Sequence, residues 1–192
     1  MEYIKDYFRK YTAGLNKLDL NKIEEVVKIL FRAWQHDNKV FIIGNGGSAS
    51  TASHMACDLG KGTLENHYDR NLRRLNVISL TDNVAHITAI GNDLGYENIF
   101  AQQLQNLAKH GDILISITGS GNSPNIIKAV KCGNDLGMIT IGLLGFNGGL
   151  LKDLVDHHII FEENHYGRVE DFHLMVDHII TERLSLLLRE HV

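Results

Sequence analysis

The sequence predicts a three-layer α/β/α protein, with a doubly wound parallel sheet and a helical extension at its N-terminus. From about residue 39, short apolar runs alternate with helical segments, as they do in βαβ crossovers. These runs are almost continuously apolar, which is typical of strands covered by helices on both faces. We expect a single domain over 1–192, in which residues 1–36 form helices used in oligomer packing and residues 37–192 form the α/β core.

The first 36 residues show helical periodicity in two stretches. Apolar residues recur every three or four positions from Ile4 to Leu15, and again from Leu18 to Trp34. Asp19 and Asn21 offer a capping region between them, so we expect two helices or one broken helix. An apolar helical face that precedes the first strand often packs on another subunit, which indicates an oligomer.

Five strands and four helical regions follow. The predicted strands are 40–43, 75–80, 113–117, 138–143 and 158–161. The predicted helical regions are 48–59, 84–90 with 97–108, 123–135 and 168–190.

Composition excludes several classes of function. The formal net charge is -4, with no basic stripe that would bind nucleic acid directly. The two cysteines, Cys57 and Cys132, are far apart in the sequence, which indicates reduced thiols rather than a disulfide framework or a cysteine zinc site. The N-terminus lacks the order of a signal peptide, and no apolar run has the ~20 residues that span a bilayer. We therefore expect a cytoplasmic protein with no membrane partner.

Two strands are followed by loops that suit a phosphate group. The first strand leads into Gly44-Asn45-Gly46-Gly47-Ser48, and the third into Thr118-Gly119-Ser120-Gly121-Asn122-Ser123-Pro124, each ahead of a helix. Glycines allow positive φ and close backbone approach, while a helix N-terminus directs free N–H groups at an anion. Ligands of open parallel sheets collect at the switch point of the strand order, so both loops are expected to face one phosphate.

The residues of these loops also fit other interpretations. Gly, Ser and Asn clusters after strands are often plain turns. Gly44, Gly46 and Ala49 also satisfy a loose G-x-G-x-x-A dinucleotide pattern, but the second strand ends near Leu80, too late for the acidic residue that this pattern expects. The signature of a P-loop is absent from the sequence, so nothing supports ATP chemistry.

His54 and Asp58 form a second candidate constellation. They stand at i and i+4, on one helix face just past the first loop. A carboxylate or imidazole beside a donor can move a proton at a carbon next to a carbonyl group. Two histidines with two carboxylates would also suit Zn²⁺, which polarises a carbonyl. Each of these residues alone could equally be structural, as could Asp82 and Asn45, which are candidate contacts for sugar hydroxyls.

Together, the Gly44–Ser48 segment, Thr81-Asp82, Ala89–Asp93 and Ser120–Ser123 resemble the SIS (sugar isomerase) domain family, in its phosphoheptose isomerase branch. The resemblance covers almost the whole chain. It implies a five-stranded parallel sheet of flavodoxin-like topology and a homotetramer with active sites between subunits. It also implies conversion of sedoheptulose 7-phosphate to glycero-manno-heptose 7-phosphate, towards heptose in lipopolysaccharide or capsule.

The resemblance also implies site residues. Those implied to hold zinc are His54, Asp58, Glu170 and His178, of which Asp58 is the base and His178 the acid. Those expected to bind substrate or phosphate are Asn45, Gly46, Gly47, Ser48, Asp82, Thr118, Gly119, Ser120, Ser123 and Glu170. The family usually has Glu at position 58 and Gln at 170. The extra charge of Glu170 should favour a divalent cation.

Two further expectations complete the hypothesis. The polar segment 61–70 differs from the family and is expected to be a mobile loop over the sugar end of the site. Members of the family also include non-catalytic sugar-phosphate sensors and a module that binds a replication initiator, and this is the alternative function. An isomerase with a different phosphosugar substrate is a third interpretation.

Overall fold

A computed structural model describes residues 1–191 and confirms the predicted fold class. Five parallel strands form one sheet in the order β2-β1-β3-β4-β5. The strands are β1 (Lys39–Gly44), β2 (Asn76–Ser79), β3 (Ile113–Thr118), β4 (Ile139–Gly145) and β5 (His157–Phe161). Each end lies within two residues of the predicted one. The strand order reverses between β1 and β3, so the switch point falls between the two strands that carry the glycine-rich loops.

Seven α-helices surround the sheet within the described part of the chain. They are α1 (Glu2–Leu15), α2 (Leu20–His36), α3 (Gly47–Cys57), α4 (Val84–Leu94), α5 (Ala101–Leu107), α6 (Pro124–Asp135) and α7 (Tyr166–Arg189). A π-helical turn, Asp58–Gly62, continues α3, and short 3₁₀ turns form at Tyr96–Asn98 and Leu151–Asp153. Helix α4 extends beyond its predicted end to Leu94, where Gly95, at φ 91°, stops it.

The strands bury both of their faces, which explains their continuous apolar sequences. In β1, Val40 and Ile42 belong to one core and Phe41 and Ile43 to the other. Side chains of α2, α3 and α7 fill the first core, and those of α4, α5 and α6 fill the second. This two-sided packing is what a doubly wound sheet requires.

The two N-terminal helices differ in how they pack. Helix α2 buries seven residues, among them Val27 and Leu30, and contributes to the core beside α7. Helix α1 has no buried residue: Tyr11 packs against Phe161, with ring centroids 5.6 Å apart, while Phe8 stays 66% exposed. The unpartnered apolar surface of the N-terminal segment is therefore on α1.

None of the helices formed by residues 1–191 combines the length and apolar character that crossing a bilayer requires.

Candidate functional site

The two glycine-rich loops meet at the carboxyl edge of the sheet. Gly44 at the end of β1 pairs with Ile117 near the end of β3, so the loops leave the sheet side by side. Together with α7 they enclose a pocket of ≈ 120 Å³. Its lining residues are Asn45, Ser48, Ile117, Thr118, Gly119, Ser120, Ser123, Tyr166 and Glu170. The structure thus brings both loops to one cavity.

Backbone geometry at the loops explains their glycines and their anion-binding character. Gly46 has φ 54° and ψ -121°, a conformation that side chains with a Cβ rarely adopt, and α3 begins at the next residue. Ser123 occupies the N-cap of α6 without capping it through its side chain, so its hydroxyl remains free to face the pocket. Two helix N-termini with unsatisfied N–H groups therefore open beside the same cavity.

A reciprocal amide pair ties the two loops together. Asn45 Nδ2 donates to Asn125 Oδ1 at 2.9 Å, and Asn125 Nδ2 donates to Asn45 Oδ1 at 2.8 Å. The Tyr96 hydroxyl donates a third bond to Asn45 Oδ1 at 3.1 Å. Asn125 is buried, and neither Asn125 nor Tyr96 was singled out from sequence. In the structure Asn45 joins the loops, and direct contact with substrate stays a prediction for it.

The loop that follows β4 donates hydrogen bonds to the second glycine-rich loop. Gly121 accepts a backbone hydrogen bond from Leu151 at 3.1 Å, and Asn122 Oδ1 accepts one from the Leu150 N–H at 3.0 Å. Phe146 packs edge-on against Tyr166, with centroids 4.9 Å apart. The two hydrogen bonds hold Gly121 and Asn122 of the second loop against the loop that follows β4.

Asp82 lies at the end of β2 in a cluster of hydroxyl groups. Its carboxylate accepts hydrogen bonds from Ser53, from Ser79 at 3.3 Å and from Thr81 at 3.2 Å. Ser53 belongs to α3, so this cluster ties the exposed Asp82 to the helix that carries His54. Asp82 is therefore held at the same edge of the sheet, beside the first loop.

A second cluster joins the end of α3 to the middle of α7. His54 Nε2 and His178 Nε2 are 3.1 Å apart, and Asp58 Oδ2 lies 3.2 Å from the first and 3.8 Å from the second. Asp58 stands where α3 passes into its π-helical turn, an irregularity that often occurs at functional sites. The structure brings together three of the four residues implied to hold a metal.

The spacing of these atoms fits a divalent transition-metal ion. With ligand bonds of about 2.0–2.1 Å, neighbouring ligands of a tetrahedral zinc site lie roughly 3.3 Å apart. The three separations among His54, Asp58 and His178 are close to that value. Imidazole nitrogens with carboxylate oxygens are also a donor set that zinc accepts.

Asp177 is the fourth member of this cluster. Its ligand atom and those of His54, Asp58 and His178 all lie within 4.8 Å of one another. Asp177 is 0% exposed, and burial, followed by the charge of Asp58, raises its pKa to about 7. The sequence offered one signal, since Asp177 directly precedes His178, but it did not distinguish Asp177 from the neighbouring carboxylates.

Glu170 lies away from this cluster, although it was expected in both sites. It is exposed and lines the loop pocket. A Cβ at Gly47 would lie 2.6 Å from Glu170 Oε1, so the Glu170 carboxylate packs directly against the first turn of α3. Its predicted contact with substrate agrees with this position, and its role as a metal ligand stays a prediction.

The segment 61–70 is anchored at its beginning rather than along its length. Thr63 and Leu64 are buried, and the Thr63 hydroxyl donates to the Leu59 carbonyl at 2.8 Å. Leu64 lines a small cavity with Trp34 and Leu188, on α2 and α7. Closure of the remaining residues over a substrate stays a prediction.

Comparisons with known proteins agree with this geometry. The sequence profile of the SIS domain matches residues 2–145. A phosphoheptose isomerase of Aliarcobacter butzleri is 39% identical over 160 residues, which cover 83% of this chain and 82% of the relative.

Two solved structures share almost the whole fold. A phosphoheptose isomerase from Francisella tularensis has 30% identity and a TM-score of 0.86, covering 96% of this chain and 95% of its own. The phosphoheptose isomerase of Neisseria gonorrhoeae has 27% identity and the same TM-score, covering 95% of this chain and 97% of its own. The similarity therefore extends from α1 to α7.

Proposed function

The chain belongs to the SIS domain family, and from that premise we propose that it is an aldose–ketose isomerase acting on sedoheptulose 7-phosphate. The proposed product is D-glycero-D-manno-heptose 7-phosphate, which the resemblance to the phosphoheptose isomerase branch implies. One observation carries the proposal: two helix-opening loops line a single small pocket, and a histidine and carboxylate cluster lies further along α3, which the first loop opens, and α7, which lines the same pocket. The names of the relatives favour this isomerase over a non-catalytic sensor.

The loop pocket is the proposed phosphate site. Backbone N–H groups at Gly47 and Ser48, with the hydroxyls of Ser48, Ser120 and Ser123, supply donors to the phosphate oxygens. Gly46 and Gly119 allow close backbone approach, and Thr118 supports the second loop by accepting from the Gly121 N–H at 3.3 Å. Hydrogen bonds to a dianion are stronger than bonds between neutral groups, so the site needs no lysine.

The distance between the two sites suits a long sugar. Ser48 and His54 are six residues apart on α3, a rise of roughly 9 Å, and Glu170 and His178 are separated by roughly 12 Å along α7. With C–C bonds of about 1.5 Å, an extended seven-carbon chain places C1 roughly 10 Å from a phosphorus on O7. A phosphate in the loop pocket thus places the carbonyl end of the sugar near the histidine and carboxylate cluster. Asp82 and Glu170 can then contact the sugar hydroxyls that lie between the two ends.

Asp58 and His178 are the proposed acid–base pair. The Asp58 carboxylate takes a proton from C1 of the ketose to form an enediol, and after this proton has exchanged with solvent, Asp58 delivers a proton to C2. His178 is proposed to move the proton between the two oxygens, and its Nε2 lies beside the base, 3.8 Å from Asp58 Oδ2. Both side chains are solvent-accessible, at 29% for Asp58 and 55% for His178, so a substrate can reach them.

One Zn²⁺ for each site is the proposed cofactor, with His54, Asp58 and His178 among its ligands. When bound, such an ion supplies Lewis acidity that polarises the sugar carbonyl. Among residues 1–191 the buried Oδ2 of Asp177 finds no hydrogen-bond partner, and this oxygen and the spacing of the imidazoles support a cation at this place. The residues present therefore fit the ion that the family implies.

A homo-oligomer, with four subunits and active sites between them, is the proposed assembly. The exposed apolar residues of α1 support it, because Ile4 and Phe8 lie one turn apart and are 53% and 66% exposed. The proposed organisation remains one domain, with α1 and α2 used in assembly. The cytoplasm is the proposed compartment, and the free thiols of Cys57 and Cys132 agree with a reducing environment.

One experiment separates this function from its alternatives. Purified protein is incubated with phosphorylated ketoses of five, six and seven carbons, with and without a chelator, and new aldose is followed by NMR. We expect aldose from the seven-carbon ketose, with less after chelation. If phosphate binding is present without any turnover, the chain is a sensor or partner-binding module instead.

A further inference from the structure

The side chain of Tyr7 joins α1 to the N-terminal end of α7, which lies far from it in the sequence. Its hydroxyl donates a hydrogen bond of 2.6 Å to Asp171 Oδ2. This bond, with a smaller contribution from burial, raises the pKa of Tyr7 to about 12, so the hydroxyl stays protonated and donating at neutral pH. The Arg168 guanidinium lies over the Tyr7 ring, 5.2 Å from its centroid, and the His165 ring stands edge-on to it at 5.7 Å. One side chain of α1 therefore contacts three residues of this end of α7.

Arg168 is itself held in place, so Tyr7 packs on a fixed partner. The Arg168 side chain is 9% exposed, and its Nη2 donates to Glu163 Oε1 at 2.9 Å. The backbone N–H of Glu163 donates in turn to the carbonyl of Phe161, the last residue of the edge strand β5, at 2.8 Å. Tyr7 therefore contacts an ion pair that ties α7 to the sheet.

The contacts of Tyr7 lie on the side of α7 that faces away from the loop pocket. At 3.6 residues per turn, positions 165, 168 and 171 centre on one side of the helix, and positions 166 and 170 point roughly 180° from it. Tyr166 and Glu170 are the two residues of α7 that line the loop pocket. This end of α7 therefore has Tyr7 on one side and the pocket on the other.

On its pocket side, α7 lies close to both glycine-rich loops. A Cβ at Gly47 would lie 2.6 Å from Glu170 Oε1, and a Cβ at Gly119 would lie 3.1 Å from the Tyr166 ring. The position of α7 therefore determines the shape of the pocket. A displacement of about 1 Å in a site can cost as much as ~100-fold in activity, so a contact that fixes this helix has a functional effect.

We propose that Tyr7 is a positioning residue for the phosphate pocket, because it holds Tyr166 and Glu170 on α7 against the two glycine-rich loops. Helix α1 has no buried residue, so these directional contacts, rather than apolar burial, set its position at the N-terminal end of α7. The inference rests on the phosphate site of the proposed function. It adds a residue that lies outside the pocket and determines the affinity of the pocket for its ligand.

The test measures the affinity of the full chain for inorganic phosphate by calorimetric titration. Tyr7→Phe removes only the bond to Asp171, and we expect it to weaken phosphate binding by roughly 3- to 10-fold, the size of one net hydrogen bond. Tyr7→Ala also removes the ring beside Arg168 and should weaken binding by roughly 5- to 50-fold.

Tyr11→Phe is the matched control for Tyr7→Phe. It removes a hydroxyl from the same helix, and this hydroxyl also reaches α7, at Met175 Sδ, 3.8 Å away. Met175 lies one turn beyond Asp171, and a thioether sulfur is a weak acceptor, so phosphate binding should stay within about twofold of the unsubstituted chain.

Two further readouts separate positioning from general stabilisation. Asp171→Ala should weaken phosphate binding as Tyr7→Phe does, and the combined variant should bind no more weakly than either one, because both remove the same bond. In turnover of sedoheptulose 7-phosphate, Tyr7→Phe should raise KM and leave kcat within about twofold, since binding is weakened and the acid–base pair is unchanged. A tyrosine that only stabilises the fold would lower the Tm without changing phosphate affinity or KM.

Several results would overturn the inference. They are unchanged phosphate affinity in Tyr7→Phe and Tyr7→Ala, an equal loss in Tyr11→Phe, and additive losses when Tyr7→Phe and Asp171→Ala are combined. An unsubstituted chain that binds no phosphate contradicts both the inference and the proposed phosphate site. An active isomerase whose KM is the same in Tyr7→Ala contradicts the inference alone, whereas phosphate affinity that depends on Tyr7 in a chain without turnover contradicts the proposed reaction alone.

Discussion

Replacing Asn125 by alanine should separate the two loops that form the phosphate pocket. The change removes the bonds of 2.8 and 2.9 Å that join Asn125 to Asn45, and also the 3.0 Å bond that Asn125 Oδ1 accepts from the Ile126 N–H. At about 0.5–1.5 kcal/mol for each net hydrogen bond, loss of the two bonds between the loops alone should lower the free energy of unfolding by about 1–3 kcal/mol. Because binding must then restore the closed arrangement, the affinity for inorganic phosphate should fall by roughly 5- to 150-fold. Urea unfolding and calorimetric titration measure the two effects.

The control for this prediction is Asn134→Ala, at the opposite end of the same helix. Asn134 also makes two side-chain hydrogen bonds, to the Leu154 carbonyl at 2.9 Å and with the Thr140 hydroxyl at 3.0 Å. It lies far along α6 from the loops, so its loss should lower stability and leave phosphate affinity unchanged. Equal phosphate affinity in Asn125→Ala and the unsubstituted chain would refute the reasoning, as would an equal loss in Asn134→Ala.

Three further predictions address catalysis, stability and assembly. Asp58→Asn should lower kcat for the ketose by at least ~100-fold, since it removes the general base, and should leave the phosphate affinity unchanged. A kcat equal to that of the unsubstituted chain would exclude Asp58 as the base. Burial lowers the pKa of His173 from 6.5 to about 4. The free energy of unfolding should therefore decrease by roughly 3 kcal/mol as the pH falls from 6.5 to 4, because the unfolded chain binds the proton more readily. In His173→Leu, the free energy of unfolding measured with urea should depend less on pH over this range. An unchanged pH dependence would contradict the prediction. Phe8→Glu should reduce the mass seen by light scattering, because it charges the exposed face of α1; an unchanged oligomer would place the interface elsewhere.

The fold followed from the sequence because its strands are buried on both faces. Runs such as 113–117 are apolar without interruption, and the Gly, Ser and Asn residues after them mark where the chain leaves the sheet. The ends of helices that depend on backbone geometry were harder to predict from the sequence. Helix α4 continues to Leu94, and α3 passes into a π-helical turn at Asp58, neither of which is visible in apolar periodicity.

The loop pocket was predictable for the same reason as the sheet. Parallel strands that are neighbours at a switch point carry their following loops to one place, so Ser48 and Ser120 had to meet. The contacts that hold the loops together were not predictable, because Asn125 and Tyr96 act through side-chain bonds that no sequence spacing specifies.

The metal cluster was predictable only in part. His54 and Asp58 are one helical turn apart, so their common face follows from their spacing. On α7, Glu170, Asp171, Asp177 and His178 all lie within nine residues, and which of them face α3 depends on how the helix is rotated against the sheet. Tertiary packing decides that rotation, and it places Asp177 rather than Glu170 beside His54.

Isotope exchange tests the central claim most directly. The protein is incubated with sedoheptulose 7-phosphate in D₂O, and both sugars are examined by NMR. Proton transfer by a carboxylate through an enediol predicts an aldose 7-phosphate that carries deuterium at C2, with none formed by Asp58→Asn. Unchanged ketose, free of deuterium at C1 and with no aldose beside it, would contradict the account.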